Sequence, residues 1–240
     1  GGHIFPAVAI ANALKKMNPA TEILFVGANG RMEMEKVPAA GYKIVGLNIS
    51  GIQRKLSLQN LMLPIKILQS VLKARMIVKE FKPDVAVGVG GYASGPLLFA
   101  ATGMNVPALI QEQNSFAGIT NKLLSKRVKR ICVAYDGMEN YFPADKIKIT
   151  GNPVRENMVD IKGKREEALR FFRLSSDKKT VLLIGGSLGA RTLNHSIAEG
   201  IQKLADKNIQ LIWQTGKAFY PKAQELTSQY LANGISAYDF

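Results

Sequence analysis

The sequence predicts an α/β protein with doubly wound parallel sheets in two domains, and three observations carry that expectation. Short apolar runs alternate with helical patterns along the chain, which is the rhythm of βαβ units. Glycine-rich turns open three of the helices, at Gly1-Gly2-His3, at GVGGYASG (88–95) and at GGSLGAR (185–191). The rhythm then stops after Gly151-Asn152-Pro153, crosses a charged stretch at 162–173, and restarts near residue 180. That break divides the chain into 1–154 and 155–240.

In chain order, the first glycine turn leads into a helical pattern at 5–17. Runs at 22–27 and 44–49, bounded by glycine, proline or charge, read as strands. A long amphipathic pattern at 58–81 reads as a helix. Strands follow at 84–88, 107–111, 130–134 and 146–150, alternating with helical patterns at 96–104, 118–128 and 136–141. The second part repeats the scheme: strand 180–184, helix 191–205, strand 209–214, helix 219–231, and a strand from 235 onward. Strands joined through helices call for parallel sheets covered on both faces. The second domain has too few strands to be complete.

Composition narrows the function classes. The 240 residues are 47% hydrophobic and hold 32 Lys and Arg against 18 Asp and Glu, a formal charge of +14. A surface of that sign attracts nucleic acid, anionic lipid or phosphorylated substrates. With no zinc spacing, RNP-type aromatic strand or basic zipper in the sequence, the expectation is no nucleic-acid partner. No apolar run reaches the length of a membrane span. The single cysteine, Cys132, lies in an apolar run and reads as an inert thiol in a reducing, cytoplasmic compartment. The N-terminus begins inside a motif, so the chain is expected to be a fragment.

The three glycine turns carry the functional signal. A strand, a glycine turn and a helix N-terminus present unpaired N–H groups and the positive end of the helix dipole where no Cβ blocks approach. One such turn is weak evidence, because many α/β proteins use it for close packing. Three of them point to diphosphate chemistry.

GGHIFPA at Gly1, GVGGYASGP at Gly88, QEQNSFAGITN at Gln111, GNPVR at Gly151 and GGSLGAR at Gly185 resemble, in order and spacing, the MurG family of peptidoglycan N-acetylglucosaminyltransferases. The resemblance covers essentially the whole chain. It implies the GT-B fold, two Rossmann-like domains facing a cleft, with the acceptor domain first and the nucleotide-sugar domain second. The implied activity is transfer of GlcNAc from UDP-GlcNAc to undecaprenyl-pyrophosphoryl-MurNAc-pentapeptide (lipid I), with inversion. It further implies that a first strand and about the last third of the family's length lie outside this sequence, together with most of the residues that choose the donor.

Several positions take roles on that basis. His3, at a helix start where the dipole favours neutral imidazole, is either the base that deprotonates the sugar hydroxyl or a capping and phosphate-binding histidine. Asn114 is implied to position the reacting sugars, and Glu112 to hold acceptor or orient His3; the alternative is a turn Asn with a solvated Glu. Gly1, Gly2, Asn114, Arg155, Gly186, Ser187 and Gly189 form the implied donor set, with the Arg155 guanidinium suited to paired phosphate oxygens. Leu188 stands where the family commonly has glutamine. Gly90, Gly91, Tyr92 and Ser94 are assigned to the acceptor pyrophosphate, with packing the alternative for Tyr92. His195 reads as a plain helix residue.

No Asp-x-Asp pair, carboxylate cluster or His/Cys spacing accompanies these loops, so neither a metal nor a cofactor is expected. The stretch 51–82 mixes basic with apolar side chains, and Arg54, Lys55, Leu61, Met62, Ile65 and Lys66 are expected to meet an anionic membrane surface. The part from Leu72 to Phe81 packs on its own sheet in this reading. Lys122, Lys126, Arg127, Lys129 and Arg130 extend the basic face. The location implied is peripheral, on the cytoplasmic face of the bacterial inner membrane.

Rival readings are another GT-B UDP-sugar enzyme or epimerase, a membrane-binding scaffold, and a dinucleotide-dependent oxidoreductase. The last needs an acidic residue after its glycine fingerprint to hold a ribose. Gly88-Val89-Gly90-Gly91 with Glu112 imitates that pattern. The strand after GGSLGA ends in Trp213-Gln214-Thr215, with no acid.

Overall fold

A computed structural model describes residues 2–49, 63–154, 161–186 and 189–239. The alternation in the sequence becomes two compact units, Gly1–Val159 and Asp160–Phe240. The first holds two parallel sheets. Its β1 (Leu24–Ala28) pairs with β2 (Lys43–Leu47), and β3 (Ala86–Gly88), β4 (Ala108–Glu112), β5 (Arg130–Val133) and β6 (Ile147–Ile149) pair in sequence order. The second unit has one parallel sheet, β7 (Thr180–Ile184), β8 (Gln210–Gln214) and β9 (Ile235–Tyr238). Among the described residues every strand pairing is parallel, as a chain of βαβ crossovers requires.

Among the described residues the helices of the first unit are α1 (Ile4–Met17), α2 (Glu33–Ala39), α3 (Leu63–Phe81), α4 (Ser94–Gly103) and α5 (Ile119–Leu124). Those of the second are α6 (Lys164–Phe171), α7 (Arg191–Asp206) and α8 (Tyr220–Thr227). Four expectations are corrected. The 118–128 pattern is helical only to Leu124, because Lys129 is already bonded to Ala108 at the edge of the sheet. Residues 136–141 form only a 3₁₀ turn, Met138–Asn140, introduced by Gly137 in the left-handed region. The 219–231 pattern is α8 followed by a 3₁₀ stretch, Ser228–Asn233. The charged stretch at 162–173 contains α6, a helix with no buried residue. Its sequence shows no apolar stripe because it buries none. The expected helix over 58–81 is described only from residue 63.

The main core of the first unit lies on both faces of the β3–β6 sheet, with Ile110, Ile131, Val133 and Leu98 almost fully enclosed. The second unit closes on Trp213, Leu211 and Ile235. Each such aliphatic side chain contributes roughly 1.5–3 kcal/mol on burial, which is what holds these short strands. A cavity of about 220 Å³ lies in the first unit, bordered by α1, β1 and β3 and lined by Leu24, Phe25, Val26, Val85, Val87 and Leu97 among others.

Register places the chemistry. Gly88 of β3 stands opposite Ile110 of β4, and Glu112 of β4 opposite Val133 of β5, so the loops leaving β3 and β4 emerge at the same sheet edge. Ligands of open α/β sheets bind at that carboxyl edge.

Candidate active site

His3 is the residue before the first turn of α1, and among the described residues no side chain caps that helix. Its imidazole lies against the glycine loop after β3. A Cβ on Gly90 would stand 2.9 Å from His3 Nδ1 and Cε1, so the ring occupies the space that a side chain would need. Gly90 and Gly91 have φ of +94° and +81°, a region open to glycine at little cost. The histidine from the first glycine motif and the loop from the second are therefore one structure.

From the other side, the segment after β4 reaches the same ring. Gln113 Oε1 lies 2.7 Å from His3 Nδ1. The Gln113 amide nitrogen donates to Val89 O at 2.8 Å and to Gln111 O at 3.4 Å, and also to the Gln111 side-chain oxygen. Asn152, from the GNPVR motif, donates to Gln113 O at 3.2 Å and accepts from the Gln111 amide at 3.3 Å. Four of the motifs thus converge through one hydrogen-bonded chain.

Glu112 has a different place from the one expected. It is 2% exposed, and its carboxylate accepts from Asn114 N–H (3.1 Å) and Nδ2 (3.2 Å), Gly118 N–H (3.0 Å) and Asn121 Nδ2 (2.8 Å). Four donors satisfy the buried anion, and one of them belongs to the residue that starts α5. Glu112 is therefore bonded to Asn114, Gly118 and Asn121 and not to His3; it shapes the turn that presents Asn114, which is itself exposed. The signal was available in the strand's period of two, which turns Gln111 and Gln113 to one face and Glu112 to the other.

The remaining expected residues separate. Gly2 sits beside His3, with open space where its Cβ would be. Tyr92 is half exposed, with the Arg31 guanidinium 5.6 Å from its ring centroid. Ser94 has its hydroxyl buried without a hydrogen-bond partner among the described residues, turned toward Gly88, where a Cβ would meet Ser94 Oγ at 2.5 Å. His195 packs its ring edge-on to Phe219.

In the second unit, the GGSLGAR loop joins β7 to α7. A Cβ on Gly189 would come within 2.1 Å of Thr215 O, and one on Gly185 within 2.7 Å of Ala190 N, so both glycines allow backbone to touch backbone. Gly186, at φ +77°, faces open space, and its carbonyl accepts from Gly189 N–H and Gln214 Nε2. No side chain among the described residues caps α7, which leaves its first N–H groups for an anion. Gly1, Arg54, Lys55, Leu61, Met62, Arg155, Ser187 and Leu188 lie outside the described residues.

A model of the glycosyltransferase family 28 N-terminal domain matches residues 1–133, more than half of the chain, and the C-terminal domain model of the same family matches 180–240. The chain belongs to glycosyltransferase family 28. A family 28 relative from Parabacteroides distasonis, named UDP-N-acetylglucosamine–N-acetylmuramyl-(pentapeptide) pyrophosphoryl-undecaprenol N-acetylglucosamine transferase, is 57% identical over all 240 residues and 65% of its own length. One of the same name from Cytophaga hutchinsonii is 59% identical over the whole chain and 64% of its own length. The crystal structure of Acinetobacter baumannii MurG aligns with the whole chain and 65% of its own, with a TM-score of 0.74 and 30% identity. A UDP-GlcNAc 2-epimerase from Neisseria meningitidis, bound to UDP-GlcNAc, covers 99% of this chain and 69% of its own at a TM-score of 0.61 and 18% identity, a likeness of fold alone. The expected α/β, GT-B fold class and the MurG resemblance are both borne out. The chain spans just under two thirds of the length of the curated relatives it matches.

Proposed function

We propose that the chain is the acceptor domain (1–154) and part of the donor domain (155–240) of an inverting hexosyltransferase. It moves GlcNAc from UDP-GlcNAc to the MurNAc 4-hydroxyl of undecaprenyl-pyrophosphoryl-MurNAc-pentapeptide, converting lipid I to lipid II in peptidoglycan synthesis. The observation that carries the reading is the His3 ring seated on Gly90 at an uncapped helix start, joined through Gln113 to the turn that presents Asn114.

In this reading His3 Nε2 takes the proton of the 4-hydroxyl as its oxygen attacks the anomeric carbon. The bond from that carbon to the UDP oxygen breaks in the same displacement, which inverts the centre, and no covalent sugar–enzyme bond forms. The departing diphosphate gathers negative charge. The start of α7 offsets it, with Arg155 as the matching cation. Asn114 holds sugar hydroxyls, and Gly90, Gly91 and Tyr92 receive the acceptor pyrophosphate.

Membrane attachment has its own support. On α3, Ala74 and Val78 are buried and pack inward, while Ile65, Leu68, Leu72 and Met76 are exposed beside Lys66. Phe116, Ile119 and Leu123 are 71–77% exposed near Lys122, whose ammonium lies 4.3 Å from the Tyr141 ring centroid. Helix α4 packs against both α3 and α5. No helix among the described residues is long and apolar enough to cross a membrane. Apolar tips ringed by ammonium groups suit an anionic surface that holds a polyprenyl acceptor, and we assign the chain to the cytoplasmic face of the inner membrane.

UDP release by the intact enzyme with a lipid I analogue tests the reading. His3→Ala is expected to lower the rate by about 10²–10⁴-fold, the range for loss of a general base. Asn114→Ala is expected to raise KM or lower kcat while leaving the fold intact. Normal rates in both folded variants overturn the assignment.

A further inference from the structure

We propose that Gln113 sets the tautomer of His3, holding the proton on Nδ1 and leaving Nε2 as the basic nitrogen. What Nε2 then does rests on the transferase reading above; the tautomer itself stands on the hydrogen bonds.

A glutamine amide has an accepting end and a donating end. The donating end of Gln113 is committed, because Val89 O and Gln111 O are carbonyl oxygens that only accept, and they lie 2.8 and 3.4 Å from its nitrogen. Reversing the amide would set oxygen against oxygen at both. The accepting end is therefore the one 2.7 Å from His3 Nδ1. An amide oxygen cannot donate, so the hydrogen of that bond belongs to the imidazole, and a neutral ring protonated at Nδ1 carries its lone pair on Nε2. Behind it the Gln111 amide donates to Asn152 Oδ1, and Asn152 Nδ2 donates to the Gln113 backbone carbonyl.

The contact with Gly90 completes the arrangement. Loop backbone lies against one side of the ring, so rotation away from Gln113 would drive the imidazole into residues 89–91. Of the titratable groups in the described elements packed on the ring, Tyr92 follows in the same loop, and Glu112 precedes Gln113 with its carboxylate taken by Asn114, Gly118 and Asn121. Gln113 is thus a positioning residue, acting on the reaction through His3.

Imidazole ¹⁵N spectra of the intact protein test this directly. The sequence has two histidines, so His195→Ala assigns the signals. The wild type is expected to show His3 with Nδ1 protonated and Nε2 as the unprotonated nitrogen. Gln113→Leu removes the acceptor and is expected to populate the Nε2–H form. Gln113→Glu keeps an acceptor but adds a charge, and is expected to raise the His3 titration midpoint by about 1–3 pH units, with the acid limb of the pH–rate profile moving up in step. A denaturant melt of each variant matching the wild type confirms its fold. Wild-type His3 protonated at Nε2, or a tautomer indifferent to Gln113→Leu, overturns the proposal. If the spectra agree but the rate limb ignores Gln113→Glu, the tautomer assignment stands and the general-base reading falls.

Discussion

The glycine loops after β3 and after β7 read alike in sequence, each an apolar strand, a cluster of glycines and a helix, yet they use their glycines for opposite purposes. At Gly90 the absent Cβ is replaced by an imidazole that comes from a different part of the chain. At Gly185 and Gly189 it is replaced by neighbouring backbone, and only Gly186 looks onto open space. The first loop is a seat for an imidazole; the second is a tight strand-to-helix joint in which, among the described glycines, Gly186 is open. A glycine motif therefore identifies close approach without saying what approaches.

Substitutions at these positions sharpen the contrast. Gly189→Ala should have the largest effect, because its methyl would overlap Thr215 O at 2.1 Å in a left-handed backbone. A loss of about 3 kcal/mol or more is expected from that overlap with the added strain, read by denaturant melts followed through buried Trp213. A near-neutral result would mean that the joint is looser than its geometry. Gly90→Ala should cost about 1–3 kcal/mol from strain and from the displaced imidazole, with most activity lost as well. Adding His3→Ala to it should restore part of that stability and cost little further activity, a non-additive pair. Additive losses would show that ring and glycine act independently. Gly186→Ala should be mildest for stability, about 1 kcal/mol of φ strain alone, while weakening UDP binding to the intact enzyme. Equal damage at Gly186 and Gly189 would erase the distinction between an open position and a packed one.

Much of this architecture was legible beforehand. All nine strands among the described residues fall where apolar runs bounded by glycine, proline or charge place them, including β6 and β7, which are largely exposed. Helices were less legible where they bury little. α2 is short, holds Pro38 and buries only Val37, and α6 buries nothing, so neither writes an apolar stripe into the sequence. The 118–128 pattern ran past its helix because Val128 is buried in the core without being helical.

The candidate site shows the same division. His3, Asn114 and the glycine loops stand out locally, since their residue types at helix starts and strand ends have few structural uses. Glu112 looked like part of the chemistry because it is a carboxylate between two reactive-looking neighbours. Its burial beneath four donors is a property of the α5 turn, which lies beyond its own strand.

The sequence by itself determined the parallel α/β plan and the positions of the glycine turns. Periodicity and the missing Cβ are local properties, written in neighbouring residues. Only the tertiary structure decided that the first turn's histidine rests on the second turn's glycine, that Gln113 rather than Glu112 grips it, and that Ser94 turns inward. Those pairings join residues about ninety to a hundred and ten positions apart, and such contacts exist only after the helices have carried each strand back beside its parallel neighbour.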